Sequence, residues 1–193
     1  MDNLIKYFIE CAVAADRERL VSCSSGNLSM RCGDRALLSA TGSCLGRLGE
    51  SDIAVCDIGT GRSLNGVVPT MESGFHLGIM RRRPDVGCVL HFQSPYATVV
   101  SCMKHKPEDY AVIQEIPMYV GRNVPVIPFM APGSAKLAEA VTDALAAADL
   151  AILSNHGQVA CGTGFDDVFR KAVFFELACR VIVLSGGYSV IKA

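Results

Sequence analysis

The sequence lacks any surplus of one charge: 18 lysines and arginines stand against 19 aspartates and glutamates in 193 residues, a formal net charge of −1. Without a broad basic face, nucleic acid is not expected as the main partner. The one basic cluster, Arg81-Arg82-Arg83, sits just before Pro84. It reads as a helix end, where cations complement the exposed carbonyls of the last turn. No apolar run approaches the roughly 18 residues that a membrane span needs. The opening MDNLIKYFIECAVAADRERL has no basic stretch followed by a long apolar block, so it is not read as a signal peptide. The nine cysteines contain no C-x-x-C pair, which removes the zinc knuckle and the redox dithiol. Their odd number and scattered spacing suit free thiols in a reducing cytoplasm.

Nucleotide and hydrolase signatures are missing too. GSCLGRLG lacks the Lys-Ser/Thr of a P-loop, the G-x-G of ACGTGFDD fits an ordinary turn before a helix, and no Gly-x-Ser-x-Gly elbow occurs. Nor is there an internal repeat or a linker. What remains is a chain that is 50% hydrophobic and only 19% charged, with a mean hydropathy of +0.33. That composition predicts a single domain over residues 1–193 with one sizeable core, and it favours a homo-oligomer that hides some apolar surface between copies.

Periodicity supplies the elements. Leu4, Ile5, Phe8, Ala12 and Ala15 recur at helical spacing over 4–20. Strand-like pieces follow at 35–39 and 53–58, with a hairpin turn at GTGR. Thr70 is placed to cap a helix carrying Phe75, Ile79 and Met80. VGCVLHF is a buried-strand candidate, and Ser94-Pro95 opens a helix through Val100. VPVIPFM reads as extended, Ser134 as the cap of a helix, LAILSNHGQVAC as a hairpin around Asn155-His156-Gly157, and 166–184 as the last long helix. Neighbouring strands joined by hairpins predict an α/β fold with a central, mostly antiparallel sheet flanked by helices.

Four histidines are available. His105 lies in the polar KHKPED loop, and His76 follows Glu72 by four positions on one predicted helix face. His91 and His156 sit at strand ends within apolar stretches. His91 and Gln93, two apart on a strand, point to the same side and could reach one cation, with His156 arriving from the hairpin. The loops SGN (25–27), ATGS (40–43) and PT (69–70) offer backbone N–H groups and hydroxyls without bulk, as phosphate cradles do.

In order, SSGNLSMR, SATGS, VVPTMESGFHLGIMRRRPDVGCVLHFQSPYATVVS and LSNHGQVACGTGFDDVFRKAVFFELA resemble the class II aldolase/adducin family. The resemblance runs from about residue 5 to 184 and is greatest to members that cleave L-fuculose 1-phosphate. It implies a homotetramer and a zinc-dependent aldehyde-lyase that splits a (deoxy)ketose 1-phosphate into dihydroxyacetone phosphate and an aldehyde. It implies His91 and His156 as metal ligands with Glu72 as acid/base and further ligand. Gly26, Asn27, Thr41, Gly42 and Thr70, with the Met71 N–H, are implied to hold the phosphate. Two positions depart from the family pattern: Gln93 stands where His-x-His is usual, and Met71 where a serine is common. A catalytic tyrosine from a neighbouring subunit and another near the C-terminus are also implied, with Tyr110, Tyr119 and Tyr188 as unassigned candidates. Pentulose-phosphate 4-epimerases, sugar-phosphate dehydratases and non-catalytic adducin-like domains are the family alternatives.

Overall fold

The computed structural model describes residues 2–186, so Tyr188 lies outside the described residues. Seven strands form one sheet in the order β3-β2-β1-β4-β7-β6-β5. They are β1 (Asn27–Cys32), β2 (Arg35–Ser39), β3 (Ile53–Asp57), β4 (Cys88–Phe92), β5 (Val126–Ile127), β6 (Leu150–Leu153) and β7 (Gly157–Gly162). Every neighbouring pair is antiparallel except β5 and β6. The helices are α1 (Asp2–Arg17), α2 (Ser73–Arg82), α3 (Pro95–Cys102), α4 (Ala135–Ala144) and α5 (Phe165–Leu184).

Alternation along the strands divides the core into two layers. Leu28, Met30, Leu90, Phe92 and Ala160 face one side, where they meet Phe8 and Ala12 of α1, Ala97 and Val100 of α3, and Ala172 and Phe175 of α5. Leu38, Ala54, Val89, Val159 and Cys161 face the other, against Phe75 and Ile79 of α2 and Leu137 and Val141 of α4. Five of the strand residues in each layer are thus fully buried, as expected for a sheet covered on both faces.

The predicted elements stand close to their sequence positions, and three details differ. Helix α2 begins at Ser73, not at Thr70: Glu72 occupies the N-cap position, and the Thr70 hydroxyl instead accepts the Glu72 N–H at 3.3 Å. The VPVIPFM segment contains a two-residue strand, β5, that pairs in parallel with β6. A π-helical turn at Ile116–Val120 carries no pattern that periodicity would detect. Ser134 does cap α4, accepting from the Leu137 N–H.

Away from the strand ends that carry the histidines, a buried ammonium ties three elements together. Lys171 on α5 is 4% exposed and donates to Asp149 at 2.8 Å, Asp167 at 2.9 Å and the Cys161 carbonyl at 3.2 Å. Arg83 meets Asp149 from the end of α2 at 2.6 Å. Burial pushes the Asp149 carboxyl up, but hydrogen bonds from Lys171 and Arg83 outweigh it and hold the group below its ordinary value of 3.8. Lys171→Met takes the ammonium from two carboxylates, each about a third exposed, leaving Asp149 with Arg83 and Asp167 with the Thr163 N–H. We expect a loss of about 2–3 kcal/mol, under the ~3–5 kcal/mol of a wholly buried pair. A depressed carboxyl stabilises above its unfolded pKa and stops doing so as pH falls through its folded value. The urea midpoints of wild type and variant should therefore converge below pH 3.8; a gap that does not change with pH would refute this account.

Candidate active site

At one end of the central strands, on the α2/α4 side, four separate elements deliver the chemistry. Strand β1 starts at Asn27, directly across from His91 at the end of β4. His156 stands in the turn between β6 and β7, and Glu72 at the head of α2. The turn is made by Asn155 in the left-handed region at φ 56°, a conformation asparagine tolerates better than most residues. Its N–H donates to the Ser101 carbonyl at 3.0 Å, pinning the hairpin to α3.

Two glycines make the close approach possible. A Cβ on Gly157 would stand 2.5 Å from the Phe92 carbonyl, 2.8 Å from Gln93 Cγ and 3.1 Å from His91 Cε1. Gly26, at φ +77°, would meet Val21 at 2.4 Å and the His91 carbonyl at 2.8 Å. Any side chain at either position would push the loops off the histidine strand.

The three titratable donors converge. His91 Nε2 lies 3.5 Å from Glu72 Oε2, His156 Nε2 lies 3.8 Å from Glu72 Oε1, and the three ligand atoms all fall within 4.8 Å of one another. The His91 Nδ1–H donates to the Gln158 carbonyl at 2.8 Å, which leaves the Nε2 lone pair facing the cluster. Burial first, and the neighbouring His91 second, lower the His156 pKa against the opposing pull of Glu72, favouring its neutral form. Glu72 Oε1 is buried and has no hydrogen-bond partner among the described residues.

These observations test whether a divalent cation fits. Ligand atoms about 2.1 Å from a tetrahedral ion lie about 3.4 Å apart, close to the two separations found. A buried, unpaired carboxylate oxygen beside two imidazole lone pairs is costly by itself and satisfied by a cation. The donor set of two imidazoles and one carboxylate suits a first-row divalent ion.

A cleft of about 290 Å³ opens over this cluster. It is lined by the ten residues considered as metal-ligating, acid/base or phosphate-holding in the sequence: Gly26, Asn27, Thr41, Gly42, Thr70, Met71, Glu72, His91, Gln93 and His156. Ser24, Ser25, Ser43 and Pro132 join them. Met71 is 62% exposed at the edge, whereas Thr70 is buried.

Other candidates go elsewhere. Tyr110 is buried against Phe175, and Tyr119 stacks on Phe174 under the Arg170 guanidinium. Neither lines the cleft. His105 is exposed in its loop. His76 does not reach the cleft but bonds to Asn27 behind Glu72. Ser29, its other partner, carried no signal in the sequence because only the fold brings residues 29 and 76 together.

If the cluster holds a cation, protein purified without chelator should carry about one divalent ion per chain, and His156→Ala should lose it. Saturating metal at about 100 times the Kd should add about 2.7 kcal/mol of stability to wild type. An unchanged melting temperature on chelation, with no ion detected by elemental analysis, would rule the site out.

The family model of the Class II Aldolase and Adducin N-terminal domain matches residues 6–183. The 3-oxo-tetronate 4-phosphate decarboxylase of Haemophilus influenzae is 36% identical over 169 residues, 86% of this chain and 80% of that protein. The L-fuculose phosphate aldolase of Methanococcus vannielii is 34% identical over 184 residues, 94% of this chain and 97% of that one. The crystal structure of YgbL from Escherichia coli superposes with a TM-score of 0.92 at 26% identity, covering 99% of this chain and 93% of the other. With its sheet order, paired helical layers and near full-length match, the chain belongs to the class II aldolase and adducin family.

Proposed function

We propose that the protein is a divalent-cation-dependent lyase. It breaks a carbon–carbon bond near the carbonyl of a phosphorylated sugar or sugar acid and leaves the enediolate of dihydroxyacetone phosphate. One observation carries the reading: a single cleft joins the Glu72–His91–His156 cluster to an uncharged wall of glycines, hydroxyls and Asn27.

The activities named for the two relatives meet at one intermediate. Retro-aldol cleavage of L-fuculose 1-phosphate between C3 and C4 expels an aldehyde and leaves the electron pair on C3, conjugated with the C2 carbonyl. Decarboxylation of a 3-oxo-tetronate 4-phosphate expels carbon dioxide from C1 and leaves the pair on C2, conjugated with the C3 carbonyl. Both give the same three-carbon enediolate with phosphate on the far side of the carbonyl. One proton on carbon then completes dihydroxyacetone phosphate.

The chain's own residues fill the roles this chemistry needs. Glu72 is the acid/base: its Oε1, which has no hydrogen-bond partner among the described residues, would face the cation before substrate binds and, once substrate displaces it there, carry the proton to and from carbon. Gly26, Asn27, Thr41, Gly42, Thr70 and the Met71 N–H hold the phosphate, whose binding energy fixes the reacting carbons beneath Glu72. A cation held by Glu72, His91 and His156, with Gln93 as a neutral further donor, supplies Lewis-acid stabilisation of negative charge on the substrate oxygens. Zinc is the expected ion for two imidazoles and a carboxylate. Exposed Val68, Met71 and Phe129 support self-association, and the homotetramer is the assembly that the family resemblance implies.

The two leaving groups place different demands on the site. A retro-aldol step needs a second base to take the C4 hydroxyl proton. Among the described residues, the ionisable side chains lining the cleft are Glu72, His91 and His156, all part of the cluster. Decarboxylation needs no such base, because the leaving carboxylate is already ionised. Within a single chain this favours the decarboxylase as the second reading beside the ketose 1-phosphate aldolase, whose second base would have to come from a neighbouring copy.

Solvent exchange tests the shared intermediate without choosing a substrate. Dihydroxyacetone phosphate in D2O with metal-loaded protein should gain deuterium at the carbon that Glu72 protonates. Glu72→Gln should slow this by about 10²-fold or more, and unchanged exchange would overturn the role of Glu72. Release of dihydroxyacetone phosphate from L-fuculose 1-phosphate or from 3-oxo-tetronate 4-phosphate then assigns the leaving group; release from neither rejects both substrates.

Gln93 gives a separate prediction. Replacing an amide oxygen by imidazole at a ligand position should tighten zinc binding, so Gln93→His should lower the zinc Kd by about tenfold or more in competition with a chromophoric chelator. Equal affinities would remove Gln93 from the ligand set.

A further inference from the structure

Behind Glu72 runs a chain of side chains that the reaction does not itself require. Glu72 Oε2 accepts from Asn27 Nδ2 at 2.9 Å. Because an ionised carboxylate only accepts, the amide group facing it is the NH2, and Asn27 Oδ1 faces away. That oxygen lies 2.5 Å from His76 Nε2, which must therefore be the protonated ring nitrogen. His76 Nδ1 is left as an acceptor, and the Ser29 hydroxyl donates to it at 2.7 Å. Ser29 and His76 are both 0% exposed, Glu72 5% and Asn27 8%. His76 is also held in place by stacking on Phe75, ring centroids 4.8 Å apart.

We propose that His76 and Ser29 are positioning residues for Glu72, acting through Asn27. Asparagine can present either end of its amide. Turned over, it would set Oδ1 against the Glu72 carboxylate and its NH2 against the His76 N–H, two repulsive contacts in a buried site. His76 removes that alternative, and Ser29 holds the His76 tautomer that does so. The result selects between the two carboxylate oxygens: Oε2 is anchored, and Oε1 stays unpaired and aimed towards His156. Asn27 also lines the cleft, so the same chain keeps its second N–H available there.

A histidine buried only for packing would satisfy its ring anywhere. Here each bond has one permitted direction, and the chain ends on the reacting carboxylate. The inference rests on the assignment of Glu72 as acid/base, and its test separates the two.

Three variants of the metal-loaded protein are compared in the dihydroxyacetone phosphate exchange assay. His76→Phe keeps a ring on Phe75 but removes both hydrogen bonds. Its kcat should fall about 30-fold with KM within about threefold, the pattern of lost preorganisation rather than lost binding. His76→Gln, which can again donate to Asn27 and accept from Ser29, should recover most of that loss. Ser29→Ala should lower kcat in the same direction by about threefold, and serves alone if His76→Phe does not fold. Full kcat in folded Ser29→Ala and His76→Phe, with only the melting temperature reduced, would show a structural role and overturn the proposal. If Glu72→Gln exchanges as fast as wild type, the acid/base assignment has failed; if Glu72→Gln is inactive and the His76 and Ser29 variants are normal, the positioning chain alone has failed. Nitrogen-15 NMR of the imidazoles adds a readout that needs no turnover: His76 should carry its proton on Nε2, and a proton on Nδ1 would overturn the chain's direction.

Discussion

A carboxylate oxygen buried without a partner is the constraint around which the active end of this protein is built. Glu72 Oε1 sits 3.8 Å from one imidazole nitrogen while Oε2 sits 3.5 Å from another. A globular protein keeps such an arrangement only where something outside the apo chain compensates it. Much of the surrounding structure serves to hold it. The hairpin turn is pinned to α3, His91 is fixed by a backbone carbonyl, and glycines stand wherever a Cβ would force the strands apart.

That dependence explains which parts were readable from sequence. Helix caps, hairpin turns and buried strands are local, so Ser134, the Asn155-His156-Gly157 turn and the apolar run of β4 announced themselves in a few consecutive residues. The ligand-type residues were readable for another reason: imidazoles, a carboxylate and small polar loops have few other uses in apolar surroundings. The network behind them was not. Ser29 is an ordinary polar residue in a strand until the register of β1 against β4, and the packing of α2 over both, set it beside His76. The parallel pairing of β5 is equally non-local, since two residues hold no period. Tyr110 and Tyr119 pack within their own chain against Phe175 and Phe174, and a role in the cleft of a neighbouring copy is a property of an assembly that no local pattern encodes.

The ambiguity between an aldehyde and carbon dioxide as leaving group has a physical origin too. The elements that this fold positions best are those proposed to act on the retained half of the substrate: the phosphate loops, the carboxylate and the two imidazoles. These roles are common to both cleavages. Met71, exposed at the rim, and Gln93, half-buried, are the two positions where the chain departs from the pattern of its family. Both adjoin groups proposed to act on the retained half, so neither distinguishes the two leaving groups.

Asn27 sits at the junction of the two requirements. One face of its amide is committed to Glu72 and His76, and the same side chain borders the cleft. The proposed phosphate contact there and the orientation of the proposed proton-carrying carboxylate would then not be independent, because a single planar amide, bonded to His76 from behind, would serve both. Remote binding energy can assist chemistry only if the group that receives it is coupled rigidly to the reacting atoms. A short-branched amide with no rotatable bond between its donor and its acceptor provides that coupling over the smallest distance the site allows.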